Sequence, residues 1–139
     1  MKIVLDANIF ISAFFWGGNP RLILERTISK KDSLYISKEI LEEIENVLNR
    51  PKFHAESYKV DYFIKSIEEI ASIITVKNKI KKGSRDITDN KYLECGIAGK
   101  VNYIISGDIH LLELKQFHLI KIVTAKEYLE IIKDFTNDN

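Results

Sequence analysis

Short apolar runs that alternate with longer amphipathic segments narrow the fold of this sequence more than any other feature. A strand covered on both faces reads as a continuous apolar run, whereas a helix lying over it repeats its apolar residues every three or four positions. Five runs qualify as strands: Lys2–Leu5, Ser33–Ile36, Ile73–Val76, Tyr103–Ile105 and Ile120–Val123. In the segment after the second run, Ile40, Leu41, Ile44, Val47 and Leu48 share one helical face; Ser37 is placed to cap that helix and Pro51 to stop it. Val60, Phe63, Ile64, Ile67 and Ile70 repeat the spacing before the third run. Thr124 and Glu127 form a T-x-x-E capping box ahead of a last helix. The pattern predicts an α/β fold with a central parallel sheet of four to five strands covered by helices.

At 139 residues the chain has the size of one domain, read as residues 1–139 with a frayed tail at 136–139. The single cysteine, Cys95, rules out an internal disulfide and a cysteine-based zinc cluster, and reads as a buried thiol. No stretch approaches the roughly 20 apolar residues that span a bilayer. Asp6 and Asn8 interrupt the apolar start, which is unlike a secretory signal, so a cytoplasmic protein is expected. The net charge of +1 says nothing for or against nucleic acid. Its distribution says more, because Lys77, Lys79, Lys81, Lys82 and Arg85 crowd one segment and Arg50, Lys52 and His54 surround Pro51. Such clusters are ordinarily solvated loops, and here they stand as candidate RNA contacts only. His54, His110 and His118 share no metal-binding spacing and read as surface or loop residues. The aromatic group Phe14, Phe15 and Trp16 reads as core rather than as a partner surface.

Two predicted strands end on carboxylates. "IVLD" delivers Asp6 and "IISGD" delivers Asp108 to the edge where strands end and helices begin, which is where open α/β sheets place ligands. Either residue alone is as well explained as a helix cap. The helix after the second strand adds Glu39, Glu42, Glu43 and Glu45. At about 100° per residue, Glu39 and Glu42 face solvent, while Glu43 and Glu45 border the apolar face on opposite sides and remain equivalent. In "SRDITDNKYLE", Asp86 and Asp89 sit near the start of a further helix, where Thr88 or Asp89 is also a capping candidate. Carboxylates gathered at one edge repel, and burial would raise their pKa until some were neutral unless a cation compensates. A set of hard oxygen donors suits Mg²⁺ or Mn²⁺, whose usual chemistry is hydrolysis or transfer at phosphate.

With these residues placed, the chain resembles the PIN-domain nucleases over nearly its whole length. The resemblance lies in "VLDANIFISA", "SKEILEEIENVLNRPKF", "RDITDNKYLECGIAGKVNYIISGD" and "VTAKEYL". "RPKF", and "SGD" followed by "LL", are similar to the VapC-like branch, the toxins of toxin–antitoxin systems. The resemblance implies a three-layer α/β/α sandwich and an acidic, Mg²⁺- or Mn²⁺-dependent ribonuclease site. Carried over position by position, it implies Asp6, Glu43, Asp89 and Asp108 as catalytic and metal-binding acids, which separates Glu43 from Glu45. Asn8 and Ser106 match polar positions that orient the ligands, and Asp86 is a possible additional acid. Where many relatives carry a further acid after the last Asp, this chain has His110, and a D-P-D-D-like run is replaced by Asp86-Ile87-Thr88-Asp89.

The function so implied is cleavage of RNA phosphodiester bonds, with Asp6, Asp89 and Asp108 holding the metal and Glu43 completing its shell or orienting water. A small antitoxin and a second copy of the chain, in a homodimer, are the implied partners, and no membrane is involved. The competing expectations are a degenerate PIN fold that binds RNA or protein without cleaving, and a housekeeping RNA-processing nuclease. A haloacid-dehalogenase-type enzyme would need a second Asp where Asn8 stands, and a Rossmann dinucleotide enzyme would need a G-x-G-x-x-G that is absent after the first strand.

Overall fold

The computed structural model describes residues 1–81, 83–84 and 87–137, with the backbone alone at 136 and 137. Lys82, Arg85 and Asp86, named above as candidate RNA contacts and a possible acid, lie outside the described residues, as do the last two residues of the expected frayed tail. Along the chain run β1 (Lys2–Leu5), α1 (Ala7–Phe15), α2 (Gly18–Ile28), β2 (Ser33–Ser37), α3 (Lys38–Leu48), α4 (Ser57–Ile70), β3 (Ser72–Ile74), α5 (Asn90–Gly99), β4 (Tyr103–Ile105), α6 (Ile109–Leu112), β5 (Gln116–Phe117), β6 (Ile120–Val123) and α7 (Ala125–Asn137). Short 3₁₀ turns at Pro51–Phe53 and Ile87–Asp89 precede α4 and α5.

The strands form one sheet in the order β3-β2-β1-β4-β6-β5. All pairs are parallel except β5 with β6. The sheet therefore has six strands rather than four or five; β5 is only two residues long, too short to show a periodicity, and it is held by the turn that returns the chain into β6. The third strand starts one residue earlier than its apolar run suggests and ends at Ile74, because it is an edge strand whose Ile73 is exposed.

Chain order reverses at β1. The chain moves outward from β1 through β2 to β3, then returns across β1 to β4 on its other side. Parallel connections are right-handed, so the outward and returning helices fall on opposite faces of the sheet. In agreement, α1 packs on α3 and α3 on α4, while α5 lies along β1, β2 and β4. Ile3, Val4, Leu34, Ile36, Ile104 and Ile105 fill the sheet's interior at 0–1% exposure. On the α5 face Gly96 lets the helix approach closely, since a Cβ there would meet the Ile104 and Ile120 methyls at 3.1 Å.

Local signals account for the helix ends. The Ser37 hydroxyl accepts from the Ile40 N–H at 3.3 Å and caps α3. Thr124 and Glu127 satisfy each other's backbone N–H groups at 3.1 and 3.0 Å, the reciprocal box expected from sequence. The aromatic group departs from expectation: Phe14 and Phe15 are half-buried, but Trp16 is exposed because it follows the last residue of α1 and turns away from the core. Among the described residues no helix is long and apolar enough to cross a membrane.

Ile104 stands in the middle of the central strand pair with no exposed surface. Ile104→Ala is expected to lower unfolding free energy by about 2–5 kcal/mol, measured as a shift in the urea midpoint at unchanged slope.

Candidate active site

The register of the sheet brings two acids together. Leu5 pairs with Ile105, so Asp6 and Ser106, the next residues of each strand, emerge side by side at the switch point of the sheet. The Asp6 N–H donates to the Ile105 carbonyl at 2.9 Å and extends the ladder by one bond. The Ser106 hydroxyl, fully buried, donates to Asp6 Oδ2 at 2.6 Å. Ser106 Oγ in turn accepts from the Asp108 N–H at 2.9 Å. Ser106 thus links the ends of β1 and β4 and fixes the turn that presents Asp108.

Asp6 and Asp108 also cap the helices that follow them. Asp6 Oδ1 accepts from the Asn8 N–H at 3.0 Å at the start of α1, and Asp108 Oδ1 accepts from the His110 N–H at 2.7 Å at the start of α6. Capping and presentation at the edge are therefore compatible, since each carboxylate uses one oxygen for the cap. Asn8 contributes through its backbone N–H, while its side chain is exposed.

Glu43 reaches the same place from the middle of α3. Tyr92, in the first turn of α5, donates its hydroxyl to Glu43 Oε1 at 2.9 Å and accepts from the Ala7 N–H at 3.3 Å. Glu43 Oε2 is held by the Lys91 ammonium. Glu45, its counterpart on the opposite border of the helix face, is exposed. Asp89 is buried in the turn that opens α5, beside Thr88, whose carbonyl accepts from Lys91 Nζ at 2.7 Å. Its side chain does not cap α5. The structure therefore gathers Asp6, Glu43 and Asp108 into one electrostatic neighbourhood, with Asp89 at the adjoining turn.

Burial raises the Asp6 carboxyl above its ordinary pKa, and the nearby charges of Glu43 and Asp108 add to the rise. Hydrogen bonds from Ser106 and the Asn8 N–H oppose it without cancelling it. Burial likewise pushes the Tyr92 phenol far above its usual value, with the Asp6 and Glu43 charges acting in the same direction. Tyr92 consequently stays a donor. Carboxylates gathered in this way are stabilised by a cation, and their hard oxygen donors suit Mg²⁺ or Mn²⁺. Among the described residues no three acidic, histidine or cysteine side chains form a ready-made metal cage.

The basic candidates are dispersed. Lys79 is exposed and pairs with Glu39 at 3.3 Å and with the buried Glu94 at 3.6 Å. Glu94 also accepts from the Ile80 N–H at 2.8 Å, so this part of the segment is tied to α5. Lys81 is exposed. Arg50 and Lys52 lie past the end of α3. Lys52 lies over the Phe53 ring at 5.0 Å. His110 is half-buried, and its Nδ1 atom is enclosed without a hydrogen-bond partner. Sequence reasoning missed Lys91, Tyr92 and Glu94. Their only mark was the string "NKYLE", in which the lysine and tyrosine follow a helix start as countless surface residues do.

The sequence profile of the PIN domain matches residues 2–110, and the chain belongs to the PIN-domain family. Among solved structures it is similar to VapBC2 from Rickettsia felis bound to a DNA fragment from its promoter. That match has a TM-score of 0.60 and 16% identity, over 88% of this chain and 98% of the other. It is also similar to VapC20 of Mycobacterium tuberculosis, a toxin that cleaves the sarcin–ricin loop, with a TM-score of 0.58 and 12% identity over 86% and 98% of the two chains. At these identities the likeness is one of fold. No curated protein matches the chain significantly.

In metal-free buffer the native chain binds the Asp6 proton more tightly than the unfolded chain does, so this group's contribution to stability falls as pH rises from about 4 through its folded-state pKa. Asp6→Asn keeps an oxygen for the α1 cap and removes the buried charge. In EDTA the variant should melt at a higher temperature than wild type at pH 7, with the gap closing toward pH 3; a gap independent of pH would contradict this account.

Proposed function

We propose that this chain is a divalent-metal-dependent endoribonuclease, the toxin of a toxin–antitoxin pair. The observation that carries this reading is the meeting of Asp6, Glu43 and Asp108, from three distant parts of the chain, at the switch point of a PIN-family sheet. Membership of the PIN-domain family supports nuclease chemistry, and the fold shared with VapC20 supports RNA as the substrate. Asp6, Asp89 and Asp108 would hold Mg²⁺ or Mn²⁺. When bound, the ion supplies an activated water and charge stabilisation for the leaving oxygen.

The chain's own residues prepare that site. Ser106 and the Asn8 N–H fix the two oxygens of Asp6, so its orientation is set before substrate arrives. Glu43, held by Tyr92 and Lys91, would orient the attacking water. Lys81 and the Arg50–Lys52 region are candidate contacts to the RNA backbone, with Lys79 available once its pairs with Glu39 and Glu94 are exchanged for phosphate. The partners proposed with this role are a small antitoxin and a second copy of the chain in a homodimer, and the proposed compartment is the cytoplasm.

Cleavage of single-stranded RNA should require Mg²⁺ or Mn²⁺ and stop in EDTA. Asp6→Asn and Asp108→Asn should each lose about 10²-fold or more in rate with unchanged circular dichroism. Wild-type rates in either variant, or full activity in EDTA, would refute the assignment. Ser106→Ala, which removes only the support of Asp6, should cost about 10–100-fold in activity or metal affinity while a fold-dependent signal is retained.

A further inference from the structure

Among the described lysines only Lys2 and Lys91 are half-buried. Lys91 is the second residue of α5, where the positive end of the helix dipole disfavours a cation. Even so, its side chain is only 12% exposed, against 70% for Lys79. Three groups hold the ammonium there: Glu43 Oε2, the Thr88 carbonyl at 2.7 Å, and the face of the Tyr92 ring at 5.3 Å. The Tyr92 hydroxyl donates to the other oxygen of Glu43, so two consecutive residues of α5 grip one carboxylate of α3.

We propose that Lys91 is a resident cation of the acidic cluster: it positions Glu43 and occupies the charge-neutralising role of a second divalent ion, so the site loads one metal ion per chain. This rests on the metal-dependent reading above and adds a stoichiometry to it. An ammonium is a fixed single charge with three donors, and it cannot be chelated or diluted away. With Lys91 on Glu43 Oε2 and the Tyr92 hydroxyl on Oε1, both oxygens of Glu43 are engaged and neither is left to ligate a further ion. Without Lys91, Glu43 keeps only the Tyr92 hydroxyl as a partner, and the cluster gains both an uncompensated charge and the free oxygen that a further ion requires.

The test is Mn²⁺ binding to the full chain, followed by calorimetry and by electron paramagnetic resonance of the bound ion, in wild type, Lys91→Met and Lys91→Arg. Wild type and Lys91→Arg should each bind one Mn²⁺, and Lys91→Met should bind a second, with spin coupling between the two ions. Lys91→Gln gives the same readout if the methionine variant does not fold by circular dichroism. Two ions in wild type, or one ion bound with equal affinity in wild type and in the folded neutral variant, would overturn the role of Lys91 while leaving the metal site standing. No Mn²⁺ bound by any of the proteins would overturn the metal-dependent reading itself, and this inference with it.

Discussion

The hydrogen bond from Ser106 to Asp6 joins residues one hundred positions apart, and much of the site follows from it. It exists because β1 and β4 pair in a register that sets Leu5 against Ile105. A one-residue slip would turn every side chain of one strand to the opposite face, exchanging the packing sites of Ile104 and Ile105 and carrying Ser106 away from the carboxylate. The burial of the central strands therefore determines the position of the acids, and the energy that secures the site is the hydrophobic energy of the sheet. Polar groups at the edge then refine what the core has already placed. Ser106 accepts from the Asp108 N–H with the oxygen that donates to Asp6, so one hydroxyl orients both strand-end acids.

Around that pair, α3 and α5 behave as a clamp. They approach from opposite sides of the sheet and meet over its edge through Glu43, Tyr92 and Lys91. Tyr92 also receives the Ala7 N–H, so the first turns of α1 and α5 are tied to the middle of α3 through one hydroxyl. Burial keeps that phenol protonated. The far edge of the sheet has a counterpart in the buried Asp32, which holds Arg26 at 2.8 Å and the Met1 amine at 3.3 Å and stabilises the opposite end of β1.

Much of this was legible in the sequence, for identifiable reasons. Apolar runs marked β1, β2, β4 and β6 because buried parallel strands leave no polar alternation. Ser37 and the Thr124–Glu127 pair marked helix starts because capping is local chemistry. Asp6 and Asp108 stood out because a carboxylate at the end of an apolar strand is a costly choice. β5 was hidden because two residues carry no pattern and its pairing depends on a turn. Lys91 was hidden because its role depends on a partner 48 positions earlier, on another helix. Lys79 looked like a free basic residue, and only the structure shows its two acidic partners.

The placement of β4 has a consequence in time. The strand that completes the centre of the sheet is the fourth to be synthesised, after all of β1, β2 and β3. Until Tyr103–Ile105 has left the ribosome and paired with β1, Asp6 lacks its hydroxyl partner, Asp108 lacks its turn, and α5 has no strand to lead into. Domains in general complete folding only when such non-local pairing closes, and long-range parallel pairing is slow. The cluster of acids is therefore assembled among the last features of the nascent chain. An emerging molecule carries the sequence of the site well before it carries the site.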